Sequence, residues 1–134
     1  MSDEYQEKRK RQRFIAKRGD TTCFWLLQEG ERIPLIDLSL EGFSIPAAAQ
    51  HPVGTRFPFT LSLEGIPDKI RGTAEVVNAF KDQAQALNGC NFVSIDGDGA
   101  SQLREWLTVH VIANASMRIT AVEAEKIVDG PSLI

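Results

Sequence analysis

Apolar and polar positions alternate with a period of two along much of this chain. In 57–63 (FPFTLSL), Phe57, Phe59, Leu61 and Leu63 fall on one face and Pro58, Thr60 and Ser62 on the other, the pattern of a half-buried strand. Residues 21–28 (TTCFWLLQ) are β-branched and aromatic and predict another strand. Glu29-Gly30-Glu31 is a turn signal, after which 32–37 (RIPLID) returns as a strand whose Pro34 suits an edge. Residues 42–45 predict a short strand ended by Pro46, and 46–55 read as loop. Two long strands are predicted over 70–80 and 85–95, joined by a hairpin at Lys81-Asp82-Gln83.

The period changes after Asp96-Gly97-Asp98-Gly99. From Ala100, apolar residues recur at spacings of three and four (Leu103, Trp106, Leu107, then His110 or Val111), which predicts an amphipathic helix with Asp98 as its N-cap. A second helix is expected around 119–128 (ITAVEAEKIV), ended by Gly130-Pro131. Short strands divided by turns, then one amphipathic helix, predict a mainly β fold: an antiparallel barrel with a helix packed against it. Glycines at 42, 65, 72 and 89 suit the bends of such a sheet.

Composition narrows the class. The 134 residues fit one domain, and 43% hydrophobic with 25% charged residues is ordinary globular usage. Collagen-like, disordered and disulfide-dense proteins are excluded. No apolar run suits a transmembrane helix, and MSDEYQEKRKRQR lacks the apolar core of a signal peptide, so the expected location is the cytoplasm. Cys23 and Cys90 stand far apart without a partner pattern and are expected as reduced, semi-buried strand residues.

Charge changes the picture. The net charge of −3 divides into +4 over residues 1–18 and −7 over the remaining 116. A basic arm on an acidic body suggests an anionic partner met by the arm, although a solvated tail has the same composition. Within the arm, Arg9-Lys10-Arg11-Gln12-Arg13 places two arginines at RxxxR spacing. Two guanidiniums four apart can clamp one anion from two sides, and each can lie flat on a purine. A second element follows a predicted strand: Asp37-Leu38-Ser39-Leu40-Glu41-Gly42, or DxSxxG. Asp37 can accept paired N–H donors from a base edge, Ser39 can donate or accept, and Gly42 permits the positive φ of a tight turn. An ordinary Asx or Ser turn satisfies the same hexapeptide.

The RxxxR arm, the intervening strand and DLSLEGF, taken in this order, resemble PilZ domains. The later stretches 89–96 (GCNFVSID) and 102–107 (QLREWL) resemble that family's last strand and C-terminal helix, so the resemblance covers about residues 8–110. It implies a six-stranded antiparallel PilZ-type β-barrel with a C-terminal α-helix. The expected organisation is a flexible basic N-terminal arm over 1–18, the barrel and helix over 19–112, and a helical extension over 113–134 that is either a partner-docking helix or, the preferred reading, a cap on the barrel. The ligand implied is cyclic di-GMP, with no other cofactor and no metal. Carried over, the binding residues are Arg9, Arg13, Asp37, Ser39 and Gly42, with Lys8 and Arg11 as accessories. The interior of the RxxxR motif departs from the family, which often has an aromatic or apolar residue there; here Phe14 follows Arg13 instead.

The implied role is a bacterial receptor or adaptor whose ligand orders the arm and alters a surface for a downstream protein, in control of motility, biofilm or exopolysaccharide. A PilZ-fold interaction module without ligand, and a small barrel binding single-stranded nucleic acid, are the alternatives. The second is disfavoured by the acidic body and by aromatics (Phe24, Trp25, Phe57, Phe59, Phe92) that read as core. An enzyme is not expected: His51 and His110 are far apart, and no nucleophile, metal-ligand or phosphate-loop motif is present.

Overall fold

The structure, a computed structural model, describes residues 11–47, 51–115 and 118–131. Its centre is a run of three long antiparallel strands: β8 (Arg56–Leu63), β9 (Lys69–Asp82) and β10 (Gln85–Ile95). The alternation in 57–63 does what it predicts, with Phe57, Phe59, Leu61 and Leu63 all buried. Strand β9 answers from its own inner face with Ile70, Ala74 and Val76. Register shifts at Gly89/Cys90 and Phe92/Ser94 mark bulges that bend β10.

Around this centre lie shorter strands: β1 (Phe14–Ile15), β4 (Phe24–Gln28), β5 (Glu31–Pro34), β6 (Asp37–Leu38) and β7 (Gly42–Pro46). Together they form one eight-stranded sheet in the order β1-β6-β7-β10-β9-β8-β4-β5. The expected six-stranded barrel is therefore corrected in one detail. The sheet is not closed by hydrogen bonds, since β1 and β5 stand at its two ends. The reason is a break in the segment expected as one strand over 32–37. Leu35 N–H donates to the Phe24 carbonyl, while Ile36 N–H donates to the Ser44 carbonyl on the other side. The chain thus leaves one edge of the sheet and joins the other within two residues, and the gap is spanned covalently. Pro34 ends β5 at the edge, where its missing N–H costs nothing.

Residues 14–18, expected within the arm, already belong to the sheets. Strand β1 pairs with β6 (Phe14 opposite Leu38, Ile15 opposite Asp37), and β2 (Lys17–Arg18) pairs with β3 (Thr21–Thr22). Ala16 is fully buried between them.

Helix α1 (Gly99–Asn114) carries Leu103, Trp106, Leu107 and His110 inward, the stripe its periodicity predicts. It runs past the expected domain boundary at 112. Asp98 occupies its N-cap position but makes no side-chain cap bond. Trp106 packs on Phe24, ring centroids 6.2 Å apart, and is core as expected. Phe43, Phe57, Phe59 and Phe92 form a second aromatic cluster across the sheet. Trp25 departs from the expected core: it faces outward, its ring covered by the Arg32 guanidinium at 4.0 Å and its Nε1–H donated to Glu64. Helix α2 (Ala121–Asp129) opens with a capping box between Thr120 and Glu123 and seats Ala124 and Val128 in the interior.

The β9–β10 hairpin turns at Gln83 and Ala84, with φ of 49° and 71°. Two left-handed residues make a tight hairpin turn that normally selects Asn-Gly, so both side chains are held where a Cβ is disfavoured. Ala84→Gly is expected to raise stability by about 0.5–1 kcal/mol, since relief of the left-handed strain outweighs the added freedom of the unfolded chain. Urea midpoints of the two proteins check this.

Candidate ligand-binding site

Two sequence motifs meet on the side of the sheet where β6, β7 and the N-terminal segment come together. Strand pairing sets the first contact. Asp37 stands opposite Ser44 in the β6–β7 register, so both side chains are presented at one spot. Arg13, just before β1, reaches that spot. Its Nη1 donates to Asp37 Oδ1 at 3.0 Å and to Ser44 Oγ at 3.0 Å. The ion pair is largely withdrawn from water, with the two side chains 9% and 22% exposed. The buried Arg13 Nε has no hydrogen-bond partner among the described residues, so the guanidinium keeps a spare donor. Its charge also reaches Cys90, whose thiol burial pushes up to about 12 while Arg13 pulls it down in part. Cys23 and Cys90 are both free thiols, more deeply buried than expected, and burial also raises Cys23.

Ser39 is completely buried and works locally. Its Oγ accepts from Glu41 N–H at 3.1 Å and Gly42 N–H at 3.2 Å, the Ser-turn alternative noted from sequence. Gly42 corrects an expectation. Its φ is not positive, and the turn does not require glycine for that reason. The requirement is close approach: a Cβ at Gly42 would lie 1.9 Å from the Cys90 carbonyl oxygen, inside β10.

Arg11 binds the same turn from outside. Its backbone N–H donates to Glu41 Oε1 at 3.2 Å, and its Nη1 donates to the Asp129 carbonyl at 3.3 Å. Lys8 and Arg9 lie outside the described residues. The structure thus brings together Arg11, Arg13, Asp37, Ser39 and Gly42. It adds Ser44, which sequence reasoning passed over although it stands two residues beyond Gly42 on the same strand face.

The segment carrying Arg13 is anchored from behind by His110. The imidazole Nε2 lies 2.8 Å from the Ile15 carbonyl, which can only accept, so Nε2 carries the proton. Nδ1 then faces Cys23 Sγ at 3.9 Å and the Asn114 amide at 3.3 Å. Burial holds the His110 pKa below its ordinary 6.5, against the raising pull of the Ile15 carbonyl, and the Arg18 charge adds to the lowering. Between this segment and the helices lies a cavity of about 680 Å³ that includes Arg13, Phe14, Asn114 and Ile127. Among the described residues no group of three or more His, Cys, Asp and Glu could hold a metal ion. No helix among them is long and apolar enough to cross a membrane.

The PilZ domain family model matches residues 7–108. The chain belongs to the PilZ domain family. Several solved structures share its fold. The PilZ domain of YcgR from Escherichia coli, solved with cyclic di-GMP, is 18% identical with a TM-score of 0.55, covering 74% of this chain and 88% of that one. The Bacillus subtilis inhibitor of motility MotI/DgrA is 15% identical with a TM-score of 0.62, covering 81% of this chain and 53% of that one. An uncharacterized protein of Legionella is 13% identical with a TM-score of 0.53, covering 73% of this chain and 91% of that one. No curated protein matches the chain.

Two outcomes follow from this geometry. Ser39→Ala leaves two turn N–H groups without their acceptor and is expected to cost about 1–3 kcal/mol of stability in a denaturant titration, before any ligand is added. His110 contributes a pH dependence of known sign. Between its lowered folded pKa and 6.5 the unfolded chain holds more protons, so stability falls as pH drops through 6.5 and levels off below the folded value. Urea midpoints compared between about pH 7.5 and about pH 5.5 should show this fall, and His110→Gln should flatten it.

Proposed function

We propose that this chain is a cyclic di-GMP receptor whose ligand is held by Arg9, Arg13, Asp37, Ser39 and Gly42, with Lys8 and Arg11 as accessories. The observation that carries the reading is the Arg13–Asp37 contact. It brings the end of RxxxR and the start of DxSxxG, 24 residues apart, into one ion pair. Family membership and the likeness to a YcgR domain solved with cyclic di-GMP support the choice of ligand.

The chemistry is an exchange of partners. Each phosphate of the ligand offers two oxygens to a guanidinium fork, and each guanine offers a flat face to the same group. Arg13 turns from Asp37 toward the ligand, helped by its unpaired Nε. Asp37, released, accepts from the N1–H and N2–H edge of a guanine. Ser39 keeps the turn closed, and Gly42 keeps β7 tight against β10. Residues 9–13 settle across the mouth of the site, and the changed surface meets a downstream protein. The protein catalyses no reaction, works in the cytoplasm and does not bind nucleic acid. Likeness to an inhibitor of motility favours motility as the process over biofilm or exopolysaccharide control.

Calorimetric titration with cyclic di-GMP tests the reading. Arg9→Ala and Arg13→Ala are each expected to cost about 1.5–3 kcal/mol of binding, roughly tenfold or more in affinity. Asp37→Ala should reduce the preference for cyclic di-GMP over cyclic di-AMP more than it reduces attraction to phosphate. Wild-type affinity surviving in both arginine variants would sink the assignment.

A further inference from the structure

We infer that Arg104, on α1, is a further anion-binding residue of this receptor, and that Asp129 at the end of α2 occupies its subsite until the ligand arrives. This rests on the cyclic di-GMP reading above and adds to it a residue outside both motifs.

Two guanidiniums converge on Asp129. Arg104 Nη1 is ion-paired with its carboxylate, and Arg11 Nη1 donates to its carbonyl at 3.3 Å. Arg11 and Arg104 also share a cavity of about 400 Å³ with Leu40, Glu41 and Ile95. Leu40 and Glu41 belong to the DxSxxG turn, so Arg104 reaches the motif from the helix side. The cavity offers two guanidinium forks beside apolar Leu40, Ile95 and Leu103, with the Glu41 carboxylate held by the Arg11 N–H, which suits a phosphate joined to a less polar ring.

The present occupant is easily displaced. The Arg104 and Asp129 side chains are 43% and 46% exposed, and an ion pair so open to water contributes little to stability. Helix α2 has nine residues and buries Ala124 and Val128, too short to persist without its docking contacts. A half-exposed carboxylate beside the anchored Val128 is a weak competitor for two arginines that a phosphate can bridge. Asp129 is thereby an internal stand-in for the ligand's anion, and binding releases its side chain from Arg104 while Val128 keeps α2 docked.

A simple staple, in which Arg104 does nothing but hold α2, predicts the opposite sign, so calorimetry with the full chain separates them. Arg104→Ala and Arg104→Gln should weaken cyclic di-GMP binding by about tenfold, the loss of one charge-assisted contact. Asp129→Ala should tighten it several-fold by removing the competitor. Both positions are half exposed, and thermal midpoints verify that the variants fold. Unchanged or tighter binding in the Arg104 variants, or unchanged binding in Asp129→Ala, overturns the inference while leaving the receptor reading in place. If the wild type binds no cyclic di-GMP, the receptor reading fails by itself. The subsite is then judged with inorganic pyrophosphate as probe, by NMR. Shifts at amides flanking Arg104 and Asp129 that vanish in Arg104→Ala uphold an anion subsite, and their absence in the wild type overturns it.

Discussion

The Arg13–Asp37 ion pair is the contact on which the candidate site depends. It ties the segment before β1 to β6, and both partners are mostly removed from water. A pair in this position is worth less than its Coulomb energy, because each charge has given up much of its hydration. Removing one partner is expensive, however, since the other is left buried without a counter-charge. The pair therefore ties the segment down while both residues are present, and in the proposed receptor another anion would take the carboxylate's place. Ser44 and the unpaired Arg13 Nε make that exchange easier, because the guanidinium retains an acceptor and a spare donor throughout.

What places Asp37 is a matter of backbone. The break at Leu35–Ile36 sends the chain from β5 at one end of the sheet to β6 near the other. From there the β6–β7 register sets Asp37 opposite Ser44. A slip of one residue would turn Asp37 to the opposite face and abolish the site. Two devices guard the register. Ser39 gathers the N–H groups of Glu41 and Gly42, and Gly42 lies so close to the Cys90 carbonyl that any side chain would push β7 off β10. The motif residues Ser39 and Gly42 thus act first on the fold, and through the fold on Asp37.

The parts of this architecture that depend on side-chain periodicity were legible in the sequence. Strand β10 spans 85–95 as its pattern predicts, and β8, β9 and α1 fall within a few residues of their expected bounds. Burial on one face writes its period directly into the residues. The remainder depends on contacts between distant segments. Residues 14–18 pair largely through backbone atoms, and three apolar residues between basic ones are too short a run to show a period, so the segment reads as part of the basic arm. The break at Leu35–Ile36 has no local signal beyond Pro34, since Leu35 and Ile36 are apolar whichever edge they join. Trp25 looks like core until Arg32 and Glu64, from two other segments, are found beside its ring. Both motifs of the site were visible, and the sequence order alone could not show that Arg13 and Asp37 touch. Ser44 and Arg104 carry no motif; the first is given by strand register and the second by helix packing.

The charge asymmetry of the chain takes a specific form in three dimensions. Each described arginine beside the motif turn meets an oxygen of the acidic body: Arg13 on Asp37, Arg11 on Glu41 and the Asp129 carbonyl, Arg104 on the Asp129 carboxylate. At the described residues, a ligand of two phosphates would therefore meet arginines that already hold oxygens. It must displace internal anions one at a time, and it gains only by the difference between its contacts and theirs. Any polyanion is attracted by a free basic arm, and that attraction carries no information about shape. Where the described arginines beside the motif turn already have partners, non-specific attraction to them is reduced. What remains is geometry: oxygens spaced to bridge two forks, and a flat edge that satisfies the carboxylate left behind. In the proposed receptor, selectivity for a small cyclic dinucleotide over long nucleic acid follows from this self-neutralisation, with the acidic body supplying the competitor that any ligand has to outbid.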